Sequence, residues 1–302
     1  MAPPRRWLLI AGACAVTLVA TYLLAVRTAT GQELENAALR GADDSANRSE
    51  FVAANNALDQ ITLYSLIGAC VLIGLIGLLR RRLDLAVAAV GVIFAGQVVT
   101  QGLKRFLLVR PELVDVTGDF KGNSLPSGHT TIAMTVLFAA LIVVPYRWRG
   151  VAMFFTLTWA TGIGAYTLTA KWHRLSDTIA ADAVALGLAC LASWWLARRG
   201  AVQPYDGKRH PLRVAFVVLI CLYVAAWLVL GGILWGGPLV AEGLQQAVAE
   251  SQWPLYLGAG ALASAGSAIS ALIFWASWRR LEIPPVRRPA AAVVPESVRA
   301  RG

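Results

Sequence analysis

The chain has 302 residues, of which 57% are hydrophobic and 15% charged, and its formal net charge is +10. An average soluble domain carries about 25% charged residues, so this deficit excludes an ordinary soluble globule and points to lipid. The positive residues sit between apolar runs rather than in a continuous basic stripe, which excludes nucleic acid as the source of the charge bias.

Crossing about 30 Å of hydrocarbon takes roughly 20 helical residues. Apolar runs of that length recur at 7–26, 61–79, 85–103, 129–146, 151–170, 176–197, 214–235 and 254–277. The pattern predicts an all-α polytopic membrane helix bundle of about eight transmembrane helices. A signal peptide is the rival reading of residues 1–30, because Arg5 and Arg6 precede the first apolar run. That run continues to Val26, the length of a full span, and its removal would leave an odd number of spans.

The hydrophilic segment from Thr28 to Gln60 follows, with six acidic residues, and reads as a solvated loop with one short helix. A turn-rich linker around Pro204, Gly207 and Pro211 separates the last two runs. The segment beyond Ile283, rich in Pro, Ala, Val and Arg, has no amphipathic period and reads as a disordered tail. The predicted organisation is a six-helix core over 1–199, a linker over 200–213, two further helices over 214–280 and a tail over 281–302. No internal repeat is evident.

With the N-terminus cytoplasmic, 18 of the 27 Lys and Arg residues fall in cytoplasmic segments, together with only four of the 17 acids. An eight-span chain with both termini in the cytoplasm therefore obeys the positive-inside rule at every cytoplasmic segment. Cys14, Cys70, Cys190 and Cys221 all fall inside predicted spans without metal-ligand spacing and read as small buried hydrophobes.

Six of the nine remaining cations, Lys104, Arg105, Arg110, Lys121, Lys171 and Arg174, lie in two outer loops, against the topological rule. Each alone reads as a headgroup anchor. The same loops also hold His129 and His173, whereas His210 lies in the cytoplasmic linker. Pro126-Ser127-Gly128-His129 stands at the start of the fourth run. Proline suits a first helical turn and glycine admits a close ligand, so the free N–H groups there would form an anion site. The bland alternative is a helix start and nothing more, but a bare cap does not require a histidine facing a cation-rich loop. His173 and Asp177 are four residues apart at the entrance to the sixth run, on one helical face. The carboxylate would fix the imidazole tautomer and leave the other nitrogen free to attack; the alternative is an interfacial pair that only satisfies polar groups. Asp182, deeper in the same run, reads as a buried polar contact.

Taken together, Lys104 with Arg110-Pro111, Pro126-Ser127-Gly128-His129, and His173 with Asp177 resemble the three-part signature of the type 2 phosphatidic acid phosphatase superfamily. That pattern is K-x6-R-P, P-S-G-H and S-R-x5-H-x3-D on a six-helix core, so the resemblance covers about residues 7–199. The middle motif matches in full. Five residues separate Lys104 from Arg110 where the family has six, and the family's S-R pair falls on Tyr166 and Thr167.

The resemblance implies a phosphohistidine on His173, oriented by Asp177, with His129 as the general acid. It implies further that Lys104, Arg110, Ser127 and Gly128 hold the phosphoryl oxygens, with no metal and no cofactor. Positioned cations and N–H donors can supply most of phosphoryl-transfer catalysis without one. If the fifth span stays helical to Lys171, that lysine would reach back over Thr167 and replace the missing arginine, with Arg174 as the second candidate.

A site at headgroup depth, flanked by Trp172 and Phe106, implies a lipid phosphate substrate and an extracytoplasmic location at the cell membrane. Polyprenyl diphosphates, phosphatidate and phosphatidylglycerol phosphate are all admitted by the resemblance. A non-catalytic lipid-phosphate-binding or scaffold protein and a lipid phosphotransferase are the other readings. The related vanadium haloperoxidases do not fit a membrane-embedded chain.

Overall fold

A computed structural model describes residues 5–44, 48–61, 63–115, 122–208 and 210–284. The predicted tail, apart from its first residues, lies outside this set. The chain is an all-α bundle. Its helices in order are α1 (Arg6–Thr21), α2 (Ala29–Asp44), α3 (Arg48–Asp59), α4 (Leu63–Leu79), α5 (Leu83–Gly102), α6 (Gly128–Val143), α7 (Arg149–Thr169), α8 (Leu175–Arg198), α9 (Pro211–Gly231), α10 (Gly237–Ala241), α11 (Leu244–Glu250) and α12 (Gln252–Ser277). Wider π-type turns extend α1, α5 and α9 at their ends, at Tyr22–Val26, Leu103–Leu107 and Gly232–Gly236.

Every predicted run becomes a helix, but among the described residues fewer than the eight predicted are long and apolar enough to cross a membrane. Six continuous helical stretches are long and apolar enough to cross, and a seventh is reached if α3 and α4, bent by 59°, count as one span. Helix α6 is apolar throughout but only 16 residues long. It packs in the middle of the bundle between α5, α7 and α8, where twelve of its sixteen residues are buried and none is exposed. A helix so enclosed does not face lipid and is not required to match the hydrocarbon thickness. By contrast Arg6–Val26 and Pro211–Ala241 are mostly uncovered by protein, and Leu9, Leu24, Leu222 and Val229 on them are exposed. Apolar side chains on an outer face are the expected pattern where the surrounding solvent is lipid.

Close approach of the helices rests on small side chains. Alanines at 180, 181, 185 and 189 of α8 and at 259, 263, 265, 268 and 271 of α12 are almost fully buried. Lipid offers no hydrophobic driving force between helices, so tight van der Waals contact through such residues is what holds them. A Cβ at Gly258 would stand 2.7 Å from the Trp235 backbone nitrogen, which shows how near α12 approaches the end of α9. Helix α12 packs on α2, α7, α8 and α9, and the Ser267 hydroxyl donates to both Asp182 oxygens at 3.0 Å. Asp182 is thus a buried polar clasp between α8 and α12.

At one end of the bundle, arginines are buried rather than solvated. Arg149 donates to the carbonyls of Leu141 and Leu281 and lies over the Trp278 ring. Arg80 donates to the carbonyls of Val143 and Ile283, and its burial lowers its pKa. Arg213 donates to Tyr146 Oη and lies over both Tyr146 and Trp275. Carbonyls at a helix C-terminus carry partial negative charge, so guanidinium groups there are stabilising. Strands β1 (Gln203–Pro204) and β2 (Leu281–Glu282) pair at the same end.

The segment from Thr28 to Gln60 corrects the sequence reading. It forms two helices, not one short helix in a solvated loop, and α2 is buried along one side. Gln32, Glu35 and Asn36 are 0%, 5% and 6% exposed. Gly31 and Gly41 let α2 lie tight, since a Cβ at either would fall within 2.3 Å or less of the Leu24 or the Gln252 carbonyl oxygen.

Candidate active site

The end of α7 sets the geometry. Thr169 is its last helical residue, and Lys171 at φ 57° turns the chain out. The N–H of Lys171 donates to the Leu168 carbonyl and that of Trp172 to the Thr167 carbonyl. This is a Schellman turn with lysine in the left-handed position that glycine usually takes. The expectation that Lys171 continues the helix and reaches over Thr167 is therefore incorrect. Its ammonium pairs instead with the Asp43 carboxylate on α2.

The same turn delivers His173. Its N–H also donates to the Thr167 carbonyl, at 3.0 Å. Its Nδ1 lies 3.1 Å from Asp177 Oδ2, and that oxygen also accepts from the Arg174 N–H at 2.9 Å. An ionised carboxylate only accepts, so Nδ1 donates and the lone pair is on Nε2. Asp177 is at the third position of α8 and caps its N-terminus, so one side chain fixes both the helix end and the imidazole. His173 is 7% exposed and Asp177 1%.

Two further segments close on this pair. The Ser127 N–H donates to the Asp177 carbonyl at 3.0 Å, joining the start of α6 to α8. Ser127 is the N-cap of α6, its Oγ accepting from the Thr130 N–H. Gly128 has nothing nearer to a hypothetical Cβ than Gln101 Nε2 at 3.8 Å, so the helix start is open on that side. The His129 ring lies against Trp172, with centroids 5.2 Å apart, and within electrostatic range of His173 and Lys104. Trp172, expected to flank the site, thus packs directly on a site histidine.

The cations are held separately. Lys104, in the widened turn that ends α5, lies in range of the Asp177 charge. Arg110 follows in extended chain pinned on both sides, because Tyr22 Oη donates to the Val109 carbonyl at 2.8 Å and Gln32 Nε2 to the Pro111 carbonyl at 2.7 Å. Burial lowers the Arg110 pKa, and Arg174 adds to that while Glu35 and Asp177 oppose it. Arg174 is 2% exposed. Its Nη1 donates to Ser124 Oγ at 3.0 Å and its Nη2 to Asn36 Oδ1 at 3.4 Å.

Helix α2 forms the remaining wall, which the sequence reading did not assign to the site. Glu35 Oε1 accepts from the Ser176 N–H at 2.8 Å, and burial raises the Glu35 pKa, with Asp177 adding to that and Arg174 opposing it. The signal was present in the spacing: 32, 35 and 36 lie on one helical face. Nothing in the sequence alone marks that face as inward. Among the described residues, no group of three or more His, Cys, Asp or Glu side chains is arranged to hold a metal.

Of the nine predicted site residues, Lys104, Arg110, Ser127, Gly128, His129, His173, Arg174 and Asp177 gather at this end of the bundle, and Lys171 turns away to Asp43. The arrangement presents an oriented imidazole, a second imidazole and three cations around a helix N-terminus, a set suited to an anion bearing spread negative charge.

Comparison with known families agrees with the motif reading. Residues 85–201 match the family model described as the PAP2 superfamily, and this segment is similar to that superfamily. No curated protein matches significantly, and neither does any solved structure.

Proposed function

We propose that the protein is a membrane lipid phosphate phosphatase that works through a phosphohistidine. The observation that carries this reading is the His173–Asp177 pair set beside Arg174, Arg110, Lys104 and the start of α6. His173 Nε2 attacks phosphorus, the bond to the lipid oxygen breaks, and His129 gives its proton to that oxygen. Water then attacks the phosphorus, the P–N bond breaks, and the proton lost by water returns to His129. Inorganic phosphate leaves and both histidines are restored. Asp177 holds the Nδ1 proton and steadies the imidazole as charge develops.

In this scheme Arg174 supplies the charge that Thr167 lacks. A family arginine at 167 would come from α7; here the guanidinium comes from one residue beyond the nucleophile, steered by Ser124 and Asn36. Lys104, Arg110, Ser127 and Gly128 complete the cradle. The site faces outward from the cell membrane, with both termini in the cytoplasm, as the charge distribution favours. The substrate is a phosphate mono- or diphosphate on a lipid, phosphatidate or a polyprenyl diphosphate among them.

Phosphate release by the purified protein from a panel of lipid phosphates tests the reading. Release that depends on His173 supports it. Lipid phosphate binding without release would favour the non-catalytic reading, which the threonine at 167 motivates. Transfer to an added acceptor without release into water would favour a phosphotransferase.

A further inference from the structure

The face of α2 that looks onto the cradle is polar, buried and only partly satisfied. Gln32 Nε2 donates to the carbonyls of Val26 and Pro111 at 2.8 and 2.7 Å, which leaves Gln32 Oε1 as a buried acceptor with no protein partner. Asn36 Oδ1 accepts from Arg174, which leaves Asn36 Nδ2 as a buried donor in the same condition. Both amide orientations are fixed by those bonds, so the leftover atoms are one acceptor and one donor. Between them Glu35 spends Oε1 on the Ser176 N–H, with its other oxygen buried in the neighbourhood of the Ser176 side chain. A buried polar group without a partner costs roughly 1–3 kcal/mol. Gln32 Oε1 and Asn36 Nδ2, one turn apart on one helix beside an anion cradle, are placed where a ligand would complete them.

We infer that Gln32, Glu35 and Asn36 form a subsite for a hydroxyl group carried by the lipid next to its phosphate, so that the substrate class is a hydroxylated, glycerol-type lipid phosphate. This rests on the phosphatase reading for the position of the phosphate. The hydroxyl follows from elimination among the groups a lipid headgroup offers. An ester or phosphoryl oxygen only accepts and would leave Gln32 Oε1 unmet. An ammonium only donates, leaves Asn36 Nδ2 unmet, and would stand among Arg110, Arg174 and Lys104. A hydroxyl donates and accepts at once, and it serves whether the Glu35 carboxyl is ionised or not.

Glu35, at the edge of the subsite, and Ser176 also border a groove of about 260 Å³ whose other walls are mainly apolar, among them Leu24, Leu34, Ile179 and Trp235. A chain attached to the hydroxylated carbon could lie there while the phosphate sits on Arg110 and Arg174.

The test compares a monoacylglycerol phosphate with a free 2-hydroxyl against its 2-deoxy analogue of the same chain. Sites built to bond a substrate hydroxyl reject the analogue lacking it, and for a partly charged subsite the wild type should favour the hydroxylated lipid by about tenfold or more in kcat/KM. Asn36→Asp keeps the oxygen that meets Arg174 and turns the leftover donor into an acceptor. It should collapse the preference to within about twofold. Equal kcat/KM for the two lipids in the wild type would overturn the proposal. So would an Asn36→Asp protein that slows both lipids equally, since that is the mark of a residue that only positions Arg174. Binding of the same pair to His173→Ala protein is measured in parallel. If no lipid is hydrolysed by the wild type, the phosphatase reading fails while tighter binding of the hydroxylated lipid still supports the subsite, and equal binding overturns it.

Discussion

The backbone carbonyl of Thr167 accepts a hydrogen bond from the backbone N–H of His173 at 3.0 Å. Thr167, which stands where the resembled signature has an arginine, therefore anchors the loop carrying His173 through its main chain, while its own hydroxyl turns inward to the Gly164 carbonyl. The charge missing from the side chain of 167 is available from Arg174, whose guanidinium is buried on the other side of the same loop.

Arg174→Ala is expected to lower kcat/KM by about 10- to 150-fold, the equivalent of losing one charge-assisted bond worth roughly 1.5–3 kcal/mol. Lys171→Ala should stay within about threefold, because its ion pair with Asp43 is partly exposed and worth at most about 1 kcal/mol. Steady-state kinetics on one lipid phosphate compare the two. A larger loss for Lys171→Ala would reverse the assignment.

His173→Ala should abolish turnover. Asp177→Asn, which removes the charge that holds the Nδ1 proton, should reduce kcat by about 10³- to 10⁴-fold with little change in substrate binding. His129→Ala should hurt least on substrates with good leaving groups, which need no protonation. Turnover that survives chelators and is blocked by vanadate fits this scheme, and restoration of a chelated enzyme by divalent metal alone would refute it.

Glu35 gives a pH signature. Burial raises its pKa above the ordinary 4.5, so the folded protein disfavours the carboxylate relative to the unfolded chain. Below about pH 4.5 both states are protonated and nothing is lost. As pH rises from there through the raised folded value, stability falls. Glu35→Gln does not titrate, so its Tm should match the wild type near pH 4.5 and exceed it increasingly toward pH 8. Thermal unfolding in detergent across that range measures the difference, and a Tm advantage that grows toward acid would show the sign to be wrong.

Orientation is tested by cysteines introduced at Asn123 and Gly207 in a cysteine-free background. Asn123 lies by the site, donating to the Leu108 and Leu125 carbonyls, and Gly207 lies beyond α8 near Tyr205. An impermeant thiol reagent applied to intact cells should label the former only. Labelling of both would place the two ends on the same side and remove the outward-facing site.

The helical class, the apolar helices and the pairing of His173 with Asp177 were legible in the sequence, because each depends on short-range regularities. Twenty apolar residues declare a helix wherever it packs, and a four-residue spacing brings two side chains together on any helix. The fate of Lys171 was not legible. A helix that could have run on stops at Thr169 through a left-handed lysine, and the two outcomes differ by about 1 kcal/mol of backbone preference, which the contacts of Arg174 with Ser124 and Asn36 and of Lys171 with Asp43, on distant parts of the chain, together outweigh. The same holds for the segment from Thr28 to Gln60. Its composition is that of a solvated loop, and only packing on α12 and α8 turns Gln32, Glu35 and Asn36 inward, because burial of a polar face is stabilised by partners far along the chain: Ser176 for Glu35, Arg174 for Asn36 and Pro111 for Gln32. Local sequence sets which residues share a face; which way that face points is a property of the whole bundle.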